Sequence, residues 1–138
     1  MAFENQQLRV PGLVAGEDLS AAAVQFKFVY LSGDRTVKLC DSATIHQPIG
    51  VLQAPAATSA LGEPVSVCAL GITKLQADES LAAGELIGTS ADGQAAHYTP
   101  GGDITKYPVG QVIEVAGGTT ATNLITAAID CLTLRRAA

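Results

Sequence analysis

The sequence predicts a small all-β protein, namely a compact β-barrel or β-tulip-like domain with an extended N-terminal arm and at most one or two short helices. Three observations favour this fold class. Fourteen glycines and six prolines punctuate the chain, which suits short strands joined by tight turns. Apolar residues make up 48% of the chain but aromatic residues only 4%, so Val, Ile, Leu and Ala must form the core. Several segments also alternate with the two-residue period of a strand.

The 138 residues fit a single domain, and the first twenty differ from the rest. Residues 1–20 have no regular period, because Pro11 and Gly12 interrupt their apolar positions. We therefore predict an extended arm over residues 1–20 and one β domain over residues 21–138. Apolar side chains on a segment that cannot fold alone usually find burial on a partner. The predicted partner-contact residues of the arm are Phe3, Leu8, Val10, Pro11 and Leu13.

The first strands are predicted from residue 24 onward. Phe26, Phe28 and Tyr30 alternate along the chain, which places the three aromatic rings on one face of a strand. The turn at residues 32–34 precedes residues 36–39, which are the expected hairpin partner. Pro48 then opens a further short strand.

The middle of the chain contains the clearest single strand, at residues 65–70. Gly71 interrupts it, so residues 72–75 either continue the same strand past a bulge or return as a hairpin. Residues 76–84 are the one place where the spacing of apolar residues permits a short helix. Asp92-Gly93 lies between two short apolar runs and predicts a tight hairpin turn.

A motif repeated after sixty residues predicts two related β units packed together. Pro48-Ile49-Gly50 recurs as Pro108-Val109-Gly110. At the same offset, the alternating positions 65, 67 and 69 match positions 125, 127 and 129. Chance is the alternative, since β proteins use such patterns freely.

The net charge and the placement of the charged residues indicate which classes of partner the chain could bind. The net charge is −5, and the basic residues are dispersed except for Arg135-Arg136. Nucleic acids and anionic membranes select clustered Lys and Arg, so neither is an expected partner. The 28 residues from Tyr107 to Leu134 carry only Glu114 and Asp130 as charges. We expect this stretch to be buried on both faces or to lie against another chain.

The residues that usually carry chemistry form no recognisable set. Cys40, Cys68 and Cys131 are far apart in sequence and are interpreted as buried, inert thiols. A catalytic pairing of Cys40 with His46 can be drawn, but no orienting group is evident for it. His97 is interpreted as an exposed strand residue. We therefore predict no catalytic residues, no metal site and no cofactor, and the protein is not expected to be an enzyme. The N-terminus lacks the pattern of a signal peptide, so synthesis and folding in a cytoplasm are expected.

The order of these pieces resembles a known family. The motifs that carry the resemblance are Gly16-Glu17-Asp18-Leu19-Ser20, Pro48-Ile49-Gly50-Val51-Leu52, Gly62-Glu63-Pro64-Val65-Ser66-Val67 with Gly71, Ala83-Gly84-Glu85-Leu86-Ile87 before Ser90-Ala91-Asp92-Gly93, and Val109-Gly110-Gln111-Val112. They resemble the small capsid decoration (cement) proteins of tailed double-stranded-DNA bacteriophages. The resemblance spans about residues 14–134, and residues 95–107 have no counterpart in it.

The resemblance implies a structural role on a virion. Such proteins assemble as homotrimers on the outer surface of the expanded phage head, where they bind the major capsid protein and stabilise the capsid, often through an N-terminal arm. Two alternatives remain open. One is another phage structural component, such as a head-fibre base or a tail protein, and the other is a small ligand-binding β module.

Overall fold

The computed structural model describes residues 5–115 and 124–132, and within them the protein is all-β. The elements are β1 (Asn5–Arg9), β2 (Val14–Ala15), a short 3-10 helix η1 (Ala22–Val24), β3 (Phe28–Gly33), β4 (Thr36–Leu39), β5 (Pro48–Ala54), β6 (Ser66–Gln76), β7 (Leu86–Thr89), β8 (Ala95–His97), β9 (Gly110–Val115) and β10 (Leu124–Asp130). The all-β prediction is confirmed. The short helix predicted over residues 76–84 is wrong, because β6 runs through Gln76 and an irregular loop follows it.

The ten strands form one sheet, in the order β2-β4-β3-β5-β6-β10-β9-β7-β8, with β1 on β6. Among the described residues the sheet is not closed into a barrel, so the barrel form of the prediction is corrected to an open sheet. Strand β6 is eleven residues long and is shared between two sets of neighbours. Its first half pairs with β5 and its second half with β10, while β1 lies along the opposite edge. Gly71, with a φ of 131°, lies where the two halves meet, and the strand continues through it.

The register of the strands shows an internal duplication. Strand pair β5–β6 and strand pair β9–β10 have the same register and the same irregularity, sixty residues apart. The paired positions are Val51–Cys68, Leu52–Val67 and Ala54–Ser66 in the first, and Gln111–Ala128, Val112–Ala127 and Glu114–Thr126 in the second. Each pair skips one residue at the same place, Gln53 in the first and Ile113 in the second. Chance repetition of Pro-x-Gly does not produce a shared register, so the predicted pair of related units is confirmed.

The hydrogen bonds outside the strands repeat in the same way. Glu17 accepts a bond from the Leu39 backbone N–H at 2.8 Å, and Glu79 accepts one from the His97 backbone N–H at 2.6 Å. Three backbone hydrogen bonds of the first copy also have counterparts in the second. In the first copy they run from Phe26 N to Leu52 O, from Leu52 N to Lys27 O and from Cys40 N to Phe28 O. Their counterparts, in the same order, run from Gly84 N to Val112 O, from Val112 N to Glu85 O and from Tyr98 N to Leu86 O. The left-handed residues also correspond, Phe26 with Gly84 and Arg35 with Gly93.

We call the two copies unit 1 (residues 13–69) and unit 2 (residues 75–131). Each has its own apolar interior built from corresponding positions. The core of unit 1 contains Leu13, Ala15, Leu19, Val29, Val37, Leu52 and Val67, and the corresponding residues of unit 2 are Leu75, Ala77, Leu81, Ile87, Ala95, Val112 and Ala127. The core of unit 2 also extends across the junction to unit 1. Phe28, Cys40, Val51 and Cys68 of unit 1 are all buried in it.

The N-terminal segment is built into this architecture from residue 5 onward. Strand β1 pairs antiparallel with β6, and the side chains of Leu13 and Leu19 are buried in the core of unit 1. The boundary expected at residue 20 therefore does not coincide with a break in the packing. Pro11 and Gly12 make a turn that redirects the chain, and Gly12 has the left-handed φ of 76° that such a turn requires.

Candidate interaction surface

The three cysteines, far apart in sequence, meet in one buried cluster at the junction of the two units. All three are free thiols and buried, as the sequence indicated. Burial raises the pKa of the Cys40 thiol to about 12, and its hydrogen bond with Thr89 opposes that shift. Burial also raises the pKa of Cys131 well above its ordinary value, and the neighbouring Cys40 and Cys68 act in the same direction. A thiol held neutral in this way is a poor nucleophile.

Alkaline pH is expected to destabilise the fold through this cluster. The unfolded Cys40 loses its proton from about pH 9, whereas the native thiol keeps its proton up to about pH 12. Between these values the unfolded chain binds fewer protons, so the free energy of unfolding falls as the pH rises, by up to about 4 kcal/mol for Cys40. Urea denaturation at pH 8 to 11 measures the slope. The Cys40→Ala variant should have a shallower slope, and an unchanged slope would contradict this account.

His46 does not join Cys40 in the contacts of the described residues. Its imidazole stacks on Tyr30, with ring centroids 3.8 Å apart and planes inclined by 4°. Asp41 Oδ1 lies 2.7 Å from His46 Nδ1, which is an ion-pair distance when the ring is protonated, although no aligned hydrogen bond forms. The Cys40 thiol instead bonds with Thr89. His97, exposed at the end of β8, lies with Nδ1 3.5 Å from Glu85 Oε2.

A shallow cavity of about 390 Å³ lies beside the stacked rings. Its lining residues are Tyr30, Leu31, Ile45, His46, Gln47, Pro48 and Ile49. Carbohydrate and other ring-shaped ligands need a free aromatic face on which to stack, and His46 already covers one face of Tyr30.

Within residues 5–115 and 124–132, no group of three or more His, Cys, Asp or Glu side chains is arranged to hold a metal ion. In the same part of the chain, no helix has the length and apolarity needed to cross a membrane.

The predicted contact residues of the arm have different environments. Leu8 is 52% exposed and lies opposite Leu70, itself 39% exposed, in the β1–β6 ladder. Val10 is half-buried against the core of unit 1, Pro11 is exposed and Leu13 is buried. Phe3 lies outside the described residues. Of the four that the structure describes, Leu8 and Pro11 are the most available to a partner, whereas Leu13 serves the core.

Strand β1 is held in place by polar contacts, part-buried at Gln7 and exposed at Arg9. The Gln7 side-chain amide donates hydrogen bonds to Gln53 Oε1 at 3.1 Å and to the Ile72 carbonyl at 3.2 Å. Gln53 in turn donates to Thr73 Oγ1 at 3.0 Å, inside the fold. Arg9 Nη1 donates to Ser66 Oγ at 2.8 Å. These bonds fix the strand so that Leu8 points outward. We call the exposed pair of Leu8 and Leu70 the β1 edge.

Unit 2 exposes a second, largely apolar surface. Leu86 on β7 pairs with Gln111 on β9, and Gln111 pairs with Ala128 on β10. These three residues are exposed, with Leu86 at 38%, and we call them the unit 2 face. Gln111 and Ala128 belong to the charge-poor stretch that the sequence indicated as a contact region. Leu86 lies outside that stretch, and no feature of its short, amphipathic strand in the sequence marked it as a contact residue.

The fold, but not the sequence, matches a known protein. No family model and no curated protein matches the sequence. The chain is similar in structure to the head fiber gp8.5 N base of bacteriophage phi29. The TM-score is 0.62 at 17% sequence identity, over 95% of this chain and 100% of that chain. A likeness at this level of identity establishes a shared fold across essentially the whole chain.

Proposed function

We propose that the protein is a structural component of a tailed-bacteriophage virion that binds the outer surface of the head as a homotrimer. The observation that carries this proposal is the whole-chain similarity to the N base of a phage head fiber. The resemblance of the sequence motifs to decoration proteins supports the same proposal. The protein acts by contact with the major capsid protein rather than by catalysis.

The β1 edge is the proposed capsid contact. Strand β1 has β6 on one side, and its other side carries no paired strand among the described residues. An edge strand can pair with an extended segment of a partner, and the exposed Leu8 adds apolar contact at the same place. This arrangement supports the attachment role that the resemblance implies for the N-terminal region.

Binding to heads is the direct test. Expanded heads that lack the protein are mixed with it, pelleted through a sucrose cushion and imaged by electron microscopy. Stoichiometric pelleting and density on the outer surface are expected. The Leu8→Glu variant should bind at least about tenfold more weakly, since a charge would be buried against the capsid. Leu61→Glu is the matched control, because Leu61 is 71% exposed in the β5–β6 loop and is not one of the proposed contact residues. Absence of binding by the wild-type protein would refute the proposal.

A measurement of the thermal stability of phage heads distinguishes the two virion roles, cement protein and head-fibre base. A cement protein raises the temperature at which filled heads rupture, whereas the base of a head fibre is not required to do so. The structural similarity to the N base of a head fiber favours the fibre-base role, and the sequence resemblance favours the cement role. Calorimetry of filled heads with and without the protein decides between them.

A further inference from the structure

The β1 edge and the unit 2 face are parts of one surface. Residues that pair across adjacent strands lie on the same side of a sheet. Ala128 of the unit 2 face pairs with Ile72 on β6, and Asp130, two residues further along β10, pairs with Leu70 of the β1 edge. The β6–β10 ladder has no register shift, so Leu70 and Ile72 lie on the same side of the sheet as Ala128. The surface therefore runs from β1 through β6, β10 and β9 to β7.

We call this surface the joined face, and its residues are exposed or half-buried and carry no charge. They are Leu8, Leu70, Ile72, Ala128, Gln111 and Leu86. Adjacent strands are about 4.8 Å apart, so the five strands span about 19 Å. A stable protein interface takes about 20–30 residues on each side. The two leucines of the β1 edge are too few for such an interface, so a partner that binds there has to extend over the surface that continues from them.

The charged residues next to the joined face lie at its margin. Lys74 and Glu114 pair with Thr126 from its two sides, one row away from Ala128. Asp130 is half-buried beside Leu70. An uncharged, largely apolar centre with a polar rim is the anatomy of a protein–protein interface.

Unit 1 indicates the chemistry of the surface that this face packs against. The three residues of the unit 2 face correspond to Phe28, Val51 and Cys68 of unit 1. All three are fully buried, and they lie in one cluster with core residues of unit 2 such as Ile87 and Val112. Where this face is covered within the chain, an apolar surface covers it, so an apolar surface of a partner suits the copy that is exposed.

We propose that the joined face as a whole binds the major capsid protein, at an apolar and uncharged part of its surface. The proposal rests on the virion role proposed above and extends its contact from the β1 edge to the unit 2 face. Continuity with the β1 edge assigns the unit 2 face to the capsid protein rather than to a second copy of this chain. The unit 2 face then supplies the area that the β1 edge lacks.

A charge on the unit 2 face tests the proposal by head binding. Ala128→Glu places a carboxylate at an exposed position of the joined face and leaves β1 unchanged. The variant should bind expanded heads at least about tenfold more weakly than the wild-type protein, since the carboxylate would be buried against the capsid. Ala57→Glu, at an exposed alanine in the β5–β6 loop, is the matched control and should bind like the wild-type protein. Circular dichroism and the melting temperature verify that both variants are folded.

Thiol labelling detects the contact without requiring a loss of binding. The three native cysteines are buried, so an exposed cysteine introduced by Ala128→Cys should react with a maleimide much faster than they do. This thiol should be labelled in the free protein and protected on heads. The Ala57→Cys control should be labelled equally in both states.

The outcomes separate this surface from the virion role. Wild-type binding by Ala128→Glu, or labelling of Ala128→Cys on heads, would overturn the joined face, and a weakened Leu8→Glu would still support the virion role. Light scattering tests the other occupant, because a smaller oligomer for Ala128→Glu than for the wild-type protein would make the face a contact between copies and overturn the proposal. Absence of head binding by the wild-type protein would refute the virion role and this extension with it.

Discussion

Replacing Gly110 by alanine is expected to destabilise the protein by about 3–5 kcal/mol, a large share of the stability of a small domain. A Cβ atom at this position would lie 2.1 Å from the Ala128 carbonyl oxygen and 3.1 Å from the Ile129 Cα. Both are backbone atoms of the neighbouring strand β10, so no side chain can rotate away to relieve the clash. Strands β9 and β10 would have to separate, and the core of unit 2 would open.

The duplication predicts the same result for Gly50. A Cβ atom there would lie 2.3 Å from the Cys68 carbonyl oxygen, the counterpart of the Ala128 contact. Gly33→Ala is the matched control, because a Cβ at Gly33 meets nothing closer than 3.9 Å. Urea denaturation of the three variants measures the difference. If Gly50→Ala and Gly110→Ala were as stable as Gly33→Ala, the backbones of the paired strands would not approach each other as closely as the structure shows.

Deletion of residues 1–13 is expected to destabilise the domain by at least about 3 kcal/mol, since losing a buried leucine alone costs about 2–5 kcal/mol. The deletion removes Leu13, which is only 5% exposed in the core of unit 1. It also removes the β1–β6 ladder and leaves the buried Gln53 side chain without its bond from Gln7. Thermal melting of the shortened protein measures the effect.

Shorter changes separate the structural part of this segment from its binding part. Deletion of residues 1–4 leaves β1 and Leu13 in place, so every contact described above for this segment is retained. Leu13→Ala should destabilise the fold strongly, whereas Leu8→Ala, at a position 52% exposed, should cost less than about 1 kcal/mol. Equal melting temperatures for the 1–13 deletion and the full chain would show that the segment is a dispensable tail.

Several elements of the fold could be predicted from residue order alone, because local chemistry decides them. Asp92-Gly93 forms the β7–β8 turn, since Gly93 takes the left-handed φ of 76°. Phe28 and Tyr30 lie on β3 and pack against the same cluster, as their alternation indicated. Phe26 also packs against that cluster, but its predicted place on the strand is wrong, because it lies before β3 in a turn with a left-handed φ of 64°. The helix predicted over residues 76–84 failed for a tertiary reason. Ala77 and Leu81 are spaced for a helix, but each is buried in the core of unit 2, where an extended chain beside β8 places them.

The sequence by itself determined the all-β class and the buried thiols, because turn residues and alternation are local features of the chain. Its sixty-residue echo indicated two related units, and the shared strand register confirmed them. Only the tertiary structure decided how those units share β6, since strand pairing depends on contacts between residues far apart in sequence. The tertiary structure also decided which surfaces remain vacant. Phe28 and Leu86 occupy corresponding positions, yet the first is fully buried and the second is 38% exposed, because unit 2 covers unit 1 and nothing within the described chain covers unit 2.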